Sequence, residues 1–278
     1  MDVLNVRYGT ADTGACLARS LRGTGFAVVT GHPVPTGLME QAYAEWERFF
    51  ASPEKHSFTF DVKRQDGYFP FRSENAKGYP QKDLKEFFHV YPGTVLPGWM
   101  SDATRRLYGA LSALAGELLA LVEDHTPEDV RAGLSMPLRK MVDGSPQTLF
   151  RILHYPPLSG REEEGAVRAA AHEDINLITL LVAATAPGLQ VLDARGRWRD
   201  VPADAGSIVV NSGDTLQMAT GGHYRSTTHR VVNPTGEEAR RPRLSMPLFL
   251  HPWPKVRLSA THTVGEYLEE RLREIGLK

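Results

Sequence analysis

Cysteine is nearly absent from this sequence: Cys16 is the only one in 278 residues. An intramolecular disulfide is thereby excluded, and so is a zinc site built on several cysteines. Charge of either sign is not in surplus, since 32 lysines and arginines face 33 aspartates and glutamates for a net charge of −1. Without a basic excess or a polybasic block, nothing suits a nucleic-acid backbone or an anionic membrane surface. No apolar run approaches the ~20 residues needed to span a bilayer. The opening Met-Asp-Val-Leu-Asn-Val-Arg-Tyr also lacks the basic segment and apolar core of a signal peptide. These absences lead to the expectation of a cytoplasmic protein with a small-molecule partner, no nucleic acid and no membrane. The composition, 41% hydrophobic and 23% charged, is that of a globular chain with room for one large domain or two small ones.

The first half carries helical periodicity. Leu38, Met39, Ala42, Tyr43, Trp46, Phe49 and Phe50 recur at a spacing that buries one face, and Leu107, Leu111, Leu114, Leu118, Leu121 and Val122 do the same between Ser101 and Glu123. Thr126-Pro127 reads as a helix cap followed by proline at the first helical position. Cys16 falls in a further helical pattern with Leu17 and Leu21, which predicts a buried, inert thiol. From about Leu149 the pattern changes to short apolar runs, at 150–155, 176–182, 188–192, 197–201, 207–210, 224–232 and 243–250. Turn formers such as Pro187-Gly188 and Gly221-Gly222 separate them. Closely spaced strands of this kind argue for a sandwich, jelly roll or barrel. Thr263-x-x-Glu266 then has the form of a capping box, and Gly276 sits where that last helix would stop.

Within the strand-rich half, His172 and Asp174 are two residues apart, a spacing that places both side chains on one side of an extended segment. His229 lies in another strand-like run. Two imidazoles and one carboxylate leave open positions on a metal, and that set favours iron(II) in an oxygenase, where a chelating co-substrate and dioxygen can fill them. Arg243 and Ser245 share the same two-residue spacing, and guanidinium plus hydroxyl on one face form a receptor for a carboxylate.

The second half resembles the isopenicillin N synthase-like branch of the iron(II)/2-oxoglutarate oxygenases. The resemblance runs through Arg151-Ile152-Leu153-His154-Tyr155-Pro156-Pro157, Ala171-His172-Glu173-Asp174, Gly188-Leu189-Gln190-Val191, Asn211-Ser212-Gly213-Asp214, Thr228-His229-Arg230-Val231 and Arg243-Leu244-Ser245. More loosely it extends to Gly25-Phe26-Ala27-Val28 and Asp83-Leu84-Lys85-Glu86-Phe87-Phe88-His89. It implies a mainly β fold with α: a double-stranded β-helix (jelly roll) at 146–255, supported by a mostly helical region at 1–145 and a C-terminal helix in 256–278, forming one oxygenase domain. It also implies Fe(2+) on His172, Asp174 and His229, and the distal carboxylate of 2-oxoglutarate on Arg243 and Ser245. Tyr155 stands where many relatives place a third contact to that carboxylate. Plant members carry asparagine two residues before that tyrosine, where Leu153 stands here.

The implied reaction consumes 2-oxoglutarate and dioxygen, releases succinate and carbon dioxide, and hydroxylates or otherwise oxidises a small substrate such as an amino acid, a peptide or a secondary-metabolite intermediate. Related halogenases replace the carboxylate ligand with a small residue, so Asp174 argues against halogenation. Two alternatives stand beside this reading. One is a related iron oxidase that dispenses with 2-oxoglutarate and binds a substrate carboxylate at Arg243 and Ser245; the other is a catalytically silent jelly-roll binding protein. In the family the aromatic and charged stretch near 67–89 approaches the barrel mouth, which makes Tyr68, Phe69, Phe71, Arg72, Lys85 and Phe87 the substrate-contact candidates. His154 is expected to face away from the site, His223 to be a surface residue, and Asn211 and Asp214 to stabilise a turn.

Overall fold

The structure, a computed structural model, describes residues 2–76 and 78–274. Twelve strands and seven α-helices follow in the order β1 (Leu4–Arg7), α1 (Thr13–Thr24), β2 (Phe26–Thr30), α2 (Thr36–Ala51), β3 (Gly67–Phe69), β4 (Glu86–Val90), α3 (Ala103–Asp124), α4 (Glu128–Ala132), α5 (Leu138–Val142) and β5 (Leu149–Tyr155). They continue with β6 (Ala169–His172), β7 (Ile178–Val182), β8 (Leu189–Leu192), β9 (Trp198–Asp200), β10 (Ile208–Ser212), α6 (Asp214–Ala219), β11 (His229–Val231), β12 (Arg243–Leu250) and α7 (Val264–Glu274).

The strands form an eight-stranded sheet, β1-β2-β10-β7-β12-β5-β4-β3, and a four-stranded one, β6-β11-β8-β9. Among the named strands of the described residues, only β1 and β2 pair in parallel. The alternation along the large sheet explains how it serves two layers at once. Leu244, Met246 and Leu248 of β12, Leu180 and Val182 of β7, and Phe150 and Ile152 of β5 join the helices α1, α2 and α3 in one core. On the opposite face Arg243, Ser245 and Phe249, Thr179 and Leu181, and Arg151, Leu153 and Tyr155 look toward the small sheet and line a cavity there. The second core, with Phe26, Val28, Leu189, Val191 and Val231, fills the space between the sheets. This is the expected jelly roll.

The 1–145 region is helical in its long elements, as expected, yet it also supplies β1, β2, β3 and β4, half of the large sheet. Residues 224–228 are not strand, because their groups bond elsewhere: the Tyr224 hydroxyl lies 2.9 Å from that of Thr126, and the Ser226 N–H donates to Gln217 Oε1 at 2.8 Å. Thr126 is no helix cap either, since its hydroxyl turns back to Val122 O at 2.7 Å. The Thr263–Glu266 capping box forms with both reciprocal bonds, at 2.7 and 3.3 Å. The expected stop at Gly276 lies outside the described residues. Cys16 is half-buried, with Arg19 Nη2 3.3 Å from its sulfur.

Candidate metal and co-substrate site

His172 ends β6 and His229 begins β11, and the two are register partners across the antiparallel pair. Asp174 follows in the turn leading to β7. The Asp174 Oδ1 atom lies 3.9 Å from His172 Nε2 and 3.7 Å from His229 Nε2, and the imidazole centroids are 4.4 Å apart. Among the described residues this is the one cluster of three such side chains whose donor atoms all lie within 4.8 Å of one another.

The surroundings fix which atoms are free. His172 Nδ1 is 2.8 Å from Ala170 O and His229 Nδ1 is 3.1 Å from Thr227 O. A carbonyl can only accept, so both rings carry a proton on Nδ1, which in the neutral imidazole leaves the lone pair at Nε2. Asp174 Oδ2 accepts from Thr179 Oγ1 at 2.5 Å and Asn211 Nδ2 at 2.8 Å, leaving Oδ1 to the cluster. Burial pushes His172 down to about 4, helped by His229 beside it, although the edge facing the cavity keeps 38% of its side chain exposed. Burial acts to raise the Asp174 carboxyl, but His229 and His172 and the bonds from Thr179 and Asn211 outweigh it and hold it below its ordinary value. Neutral imidazoles and an ionised carboxylate are the states that ligate a metal. Glu173 points the other way and accepts a short bond from the Thr228 hydroxyl, which ties the turn to the segment before β11.

Sequence reasoning missed the part played by Asn211 and Gly213. Asn211 is on β10, not a turn, and holds Asp174 directly. Gly213 packs against the turn so closely that a Cβ would fall 2.2 Å from Asn176 O and 2.8 Å from Asp174 O. Asp214 begins α6 and accepts from the Tyr267 hydroxyl at 2.7 Å.

Arg243 and Ser245 lie on the cavity face of β12, opposite Tyr155 and Leu153 of β5. Arg243 is 2% exposed, with its guanidinium 5.1 Å from the centre of the Tyr155 ring. Its Nε donates to Ala186 O at 2.9 Å, while Nη1 is buried without a hydrogen-bond partner. The same cavity holds Lys85, Arg151 and Phe249. Lys85 Nζ pairs with Asp83 at 2.7 Å and Glu74 at 2.9 Å, and Arg151 Nη1 reaches Glu74 at 3.2 Å. Arg151 lies 4.6 Å over Phe87, which stacks on Phe69 at 4.4 Å.

Of the six substrate-contact candidates, Lys85 lines the cavity, and Phe87 and Phe69 back it through Arg151. Tyr68, Phe71 and Arg72 are not among the residues that line the cavity. Strand alternation turns Tyr68 into the helical core, where its hydroxyl donates to Glu86; Phe71 is 45% exposed, and Arg72 pairs with Glu163 at 2.6 Å. His154 faces away from the cavity, stacked on Phe50 and 2.7 Å from Glu86 Oε1. His223 is half-buried against the Tyr224 ring, 4.8 Å away.

Residues 146–252 match the family model of the 2OG-Fe(II) oxygenase superfamily, and residues 7–104 match that of the non-haem dioxygenase N-terminal region named for morphine synthesis. A 2-oxoglutarate-Fe(II) type oxidoreductase of Emericella nidulans is 31% identical over 277 residues, covering 87% of this chain and 76% of that protein. The crystal structure of an oxygenase from Shewanella oneidensis superposes over 100% of both chains with a TM-score of 0.90 and 46% identity. A Neurospora crassa protein solved with alpha-ketoglutarate and thymine shares the fold at a TM-score of 0.80 and 23% identity, covering 99% of this chain and 97% of that one. Among the described residues no helix is long and apolar enough to cross a membrane. This chain belongs to the 2-oxoglutarate-Fe(II) oxygenase superfamily, and is a dioxygenase that uses iron(II) and 2-oxoglutarate to oxidise its substrate.

Proposed function

We propose that His172, Asp174 and His229 hold the iron, that Arg243, Ser245 and Tyr155 receive the distal carboxylate of 2-oxoglutarate, and that the substrate is a small molecule presenting an oxygen acceptor to Arg151. One observation carries the co-substrate half of this reading: the buried Arg243 guanidinium has a partnerless Nη1 and no carboxylate within ion-pair reach among the described residues. An uncompensated charge in that position is costly until an anion completes it. The metal half rests on three lone pairs directed into one space by Ala170, Thr227, Thr179 and Asn211.

Iron bound there supplies the activation of dioxygen that couples decarboxylation of 2-oxoglutarate to substrate oxidation. The chain's own residues bind, orient and exclude water. Arg243 and Ser245 fix one end of the co-substrate by charge and hydroxyl on the same strand face. Leu153, Leu181, Leu189 and Val231 keep the cavity wall apolar between the two ends. Arg151, held flat by Phe87 and by Glu74, offers guanidinium hydrogens to a carbonyl or carboxylate, which suits an amino acid, a peptide or a planar metabolite. The regions 1–145, 146–255 and 256–278 act as one oxygenase domain in this reading, supported by β2 lying between β1 and β10 and by the bond from Tyr267 to Asp214.

The test is a 2-oxoglutarate titration of succinate release. Removing the guanidinium in Arg243→Ala strands a desolvated carboxylate, at a cost of roughly 2–5 kcal/mol, or about thirtyfold to several thousandfold in affinity. Iron content should be unchanged. An unaltered 2-oxoglutarate requirement, or substrate oxidation by the parent without succinate, would instead assign Arg243 and Ser245 to a substrate carboxylate.

A further inference from the structure

Two cations around the cavity are neutralised by a named carboxylate: Lys85 by Asp83 and Glu74, Arg151 by Glu74. Arg243 is not, and neither is Arg168, just ahead of β6. Arg168 is 1% exposed, and the only hydrogen-bond acceptor of its guanidinium among the described residues is a backbone carbonyl, Arg241 O, at 3.1 Å. Its Nε is buried without a partner, and no described carboxylate lies within 4.0 Å. The two guanidiniums share one neighbour, Tyr155, with centres 5.9 Å (Arg168) and 5.1 Å (Arg243) from the ring. Burial and the nearby Arg243 push Arg168 below the usual arginine range, outweighing the opposite pull of Tyr155 and Glu238.

Two like charges taken out of water beside one another, with no described carboxylate in ion-pair contact and only the longer-range pull of Glu238 on Arg168, destabilise the ligand-free fold. The arrangement becomes favourable only when a negative group enters. We propose that Arg168 is a positioning residue for 2-oxoglutarate: it supplies the second positive charge for the distal carboxylate and holds Tyr155 in place. The inference rests on the assignment of that carboxylate to Arg243 and Ser245. Its action has two parts. The charge adds attraction that needs no direct contact, and the cation over the ring fixes the orientation of Tyr155, whose side chain lines the cavity. It follows that the site selects a co-substrate with a distal carboxylate over a 2-oxo monoacid. A merely structural role is the competing explanation, because Arg168 also ties β6 to the segment before β12 through its N–H on Asn233 Oδ1, at 2.9 Å, and its bond to Arg241 O.

The experiment measures binding of 2-oxoglutarate and of 2-oxobutyrate to the anaerobic iron(II)-loaded protein by calorimetry, together with the Tm of the ligand-free protein. In Arg168→Met, 2-oxoglutarate should bind roughly ten- to fiftyfold more weakly, the effect of one charge several ångströms away at an effective dielectric of about 20. Binding of 2-oxobutyrate should stay within about twofold, and the ligand-free Tm should be equal or higher. Arg168→Lys should regain most of the loss. If the methionine variant does not fold, Arg168→Gln keeps an N–H for the Arg241 carbonyl and carries the same comparison. Unchanged 2-oxoglutarate affinity, or an equal loss for both acids, overturns the proposal in favour of the structural role. Arg243→Met, measured in parallel, separates the two failures. If it too keeps 2-oxoglutarate affinity, the underlying assignment is wrong; if it alone loses affinity, only the role of Arg168 is.

Discussion

Gly213 offers a sharp test of how the site is held. Its φ of −107° is open to any residue, so the demand for glycine comes from contact and not from backbone conformation. An alanine Cβ would meet Asn176 O at 2.2 Å, Asp174 O at 2.8 Å and Asn176 C at 3.0 Å, all backbone atoms that cannot swing aside. The two segments are also stitched together on either side of the contact. Gly213 N donates to Leu177 O at 2.9 Å, Asp214 N to Asp174 O at 2.7 Å and Thr215 N to Ile175 O at 3.2 Å. Restoring an ordinary C···O separation requires a shift of about 1 Å, and the turn that moves is the one carrying Asp174. Overpacking of this kind costs roughly 1–3 kcal/mol, which in a chain of this size lowers Tm by about 2–12 °C. The effect on turnover should be larger, about a hundredfold for a 1 Å misplacement of a reacting group. Gly213→Ala would be compared with Gly116→Ala, where the added Cβ meets nothing within 4 Å and the α3 helix should gain stability. Iron content at limiting iron, succinate release and Tm are the readouts. A Gly213→Ala protein that binds iron and turns over within about threefold of the parent would refute the argument.

Three further outcomes are expected. His172→Ala, Asp174→Ala and His229→Ala should each lose bound iron and activity while circular dichroism stays that of the parent, because the strands form without the metal; His154→Ala and His223→Ala should retain iron. Asn211→Ala removes one of two bonds on Asp174 Oδ2, and iron affinity should fall about ten- to a hundredfold in a folded protein, read by competition with a chelator. Glu74→Gln should cost about 3 kcal/mol at pH 7, since it leaves Lys85 and Arg151 short of a buried counter-charge. Burial acts to raise Glu74, but Arg151 and Lys85 outweigh it and hold it well below the usual carboxylate range. Its contribution is therefore present above about pH 4.5 and lost as pH falls below that. Urea unfolding at pH 7 and pH 3.5 should show the gap between parent and variant narrowing, and an equal gap at both would contradict the pairing.

What could be read from the sequence follows what is local. On β12 the alternation of Arg243 and Ser245 with Leu244 and Met246 is complete, and the expected strand 243–250 coincides with the observed one. The α3 stripe is as clear, since a buried leucine recurs at every third or fourth position from Leu107 to Leu118. β6 carries no such signal: Ala169, Ala170 and Ala171 favour no strand, and only pairing with β11 extends them. Asn211-Ser212-Gly213-Asp214 reads as a turn by composition, yet Asn211 is strand because β2 and β7 pair with it on both sides, and Ser212 because β7 continues the pairing. The charged cluster was beyond local reading altogether. Glu74, Lys85 and Arg151 come from two loops and a central strand, and Arg168 and Arg243 are neighbours only after the sheets close.

The proposed ligands are shared between the layers of the fold. His172 and His229 belong to the small sheet, whereas Asp174 is fastened through Thr179 and Asn211 to β7 and β10 of the large one. An ion held by all three is a rivet across the sandwich, added to the dispersion contacts of Phe26, Val28, Val191 and Val231. Its binding energy then opposes the splaying of one sheet from the other, by an amount that grows with the logarithm of free metal. Local opening, and with it exposure of β6 and β11 to proteases, becomes a function of iron supply while the helix-backed layer stays shut.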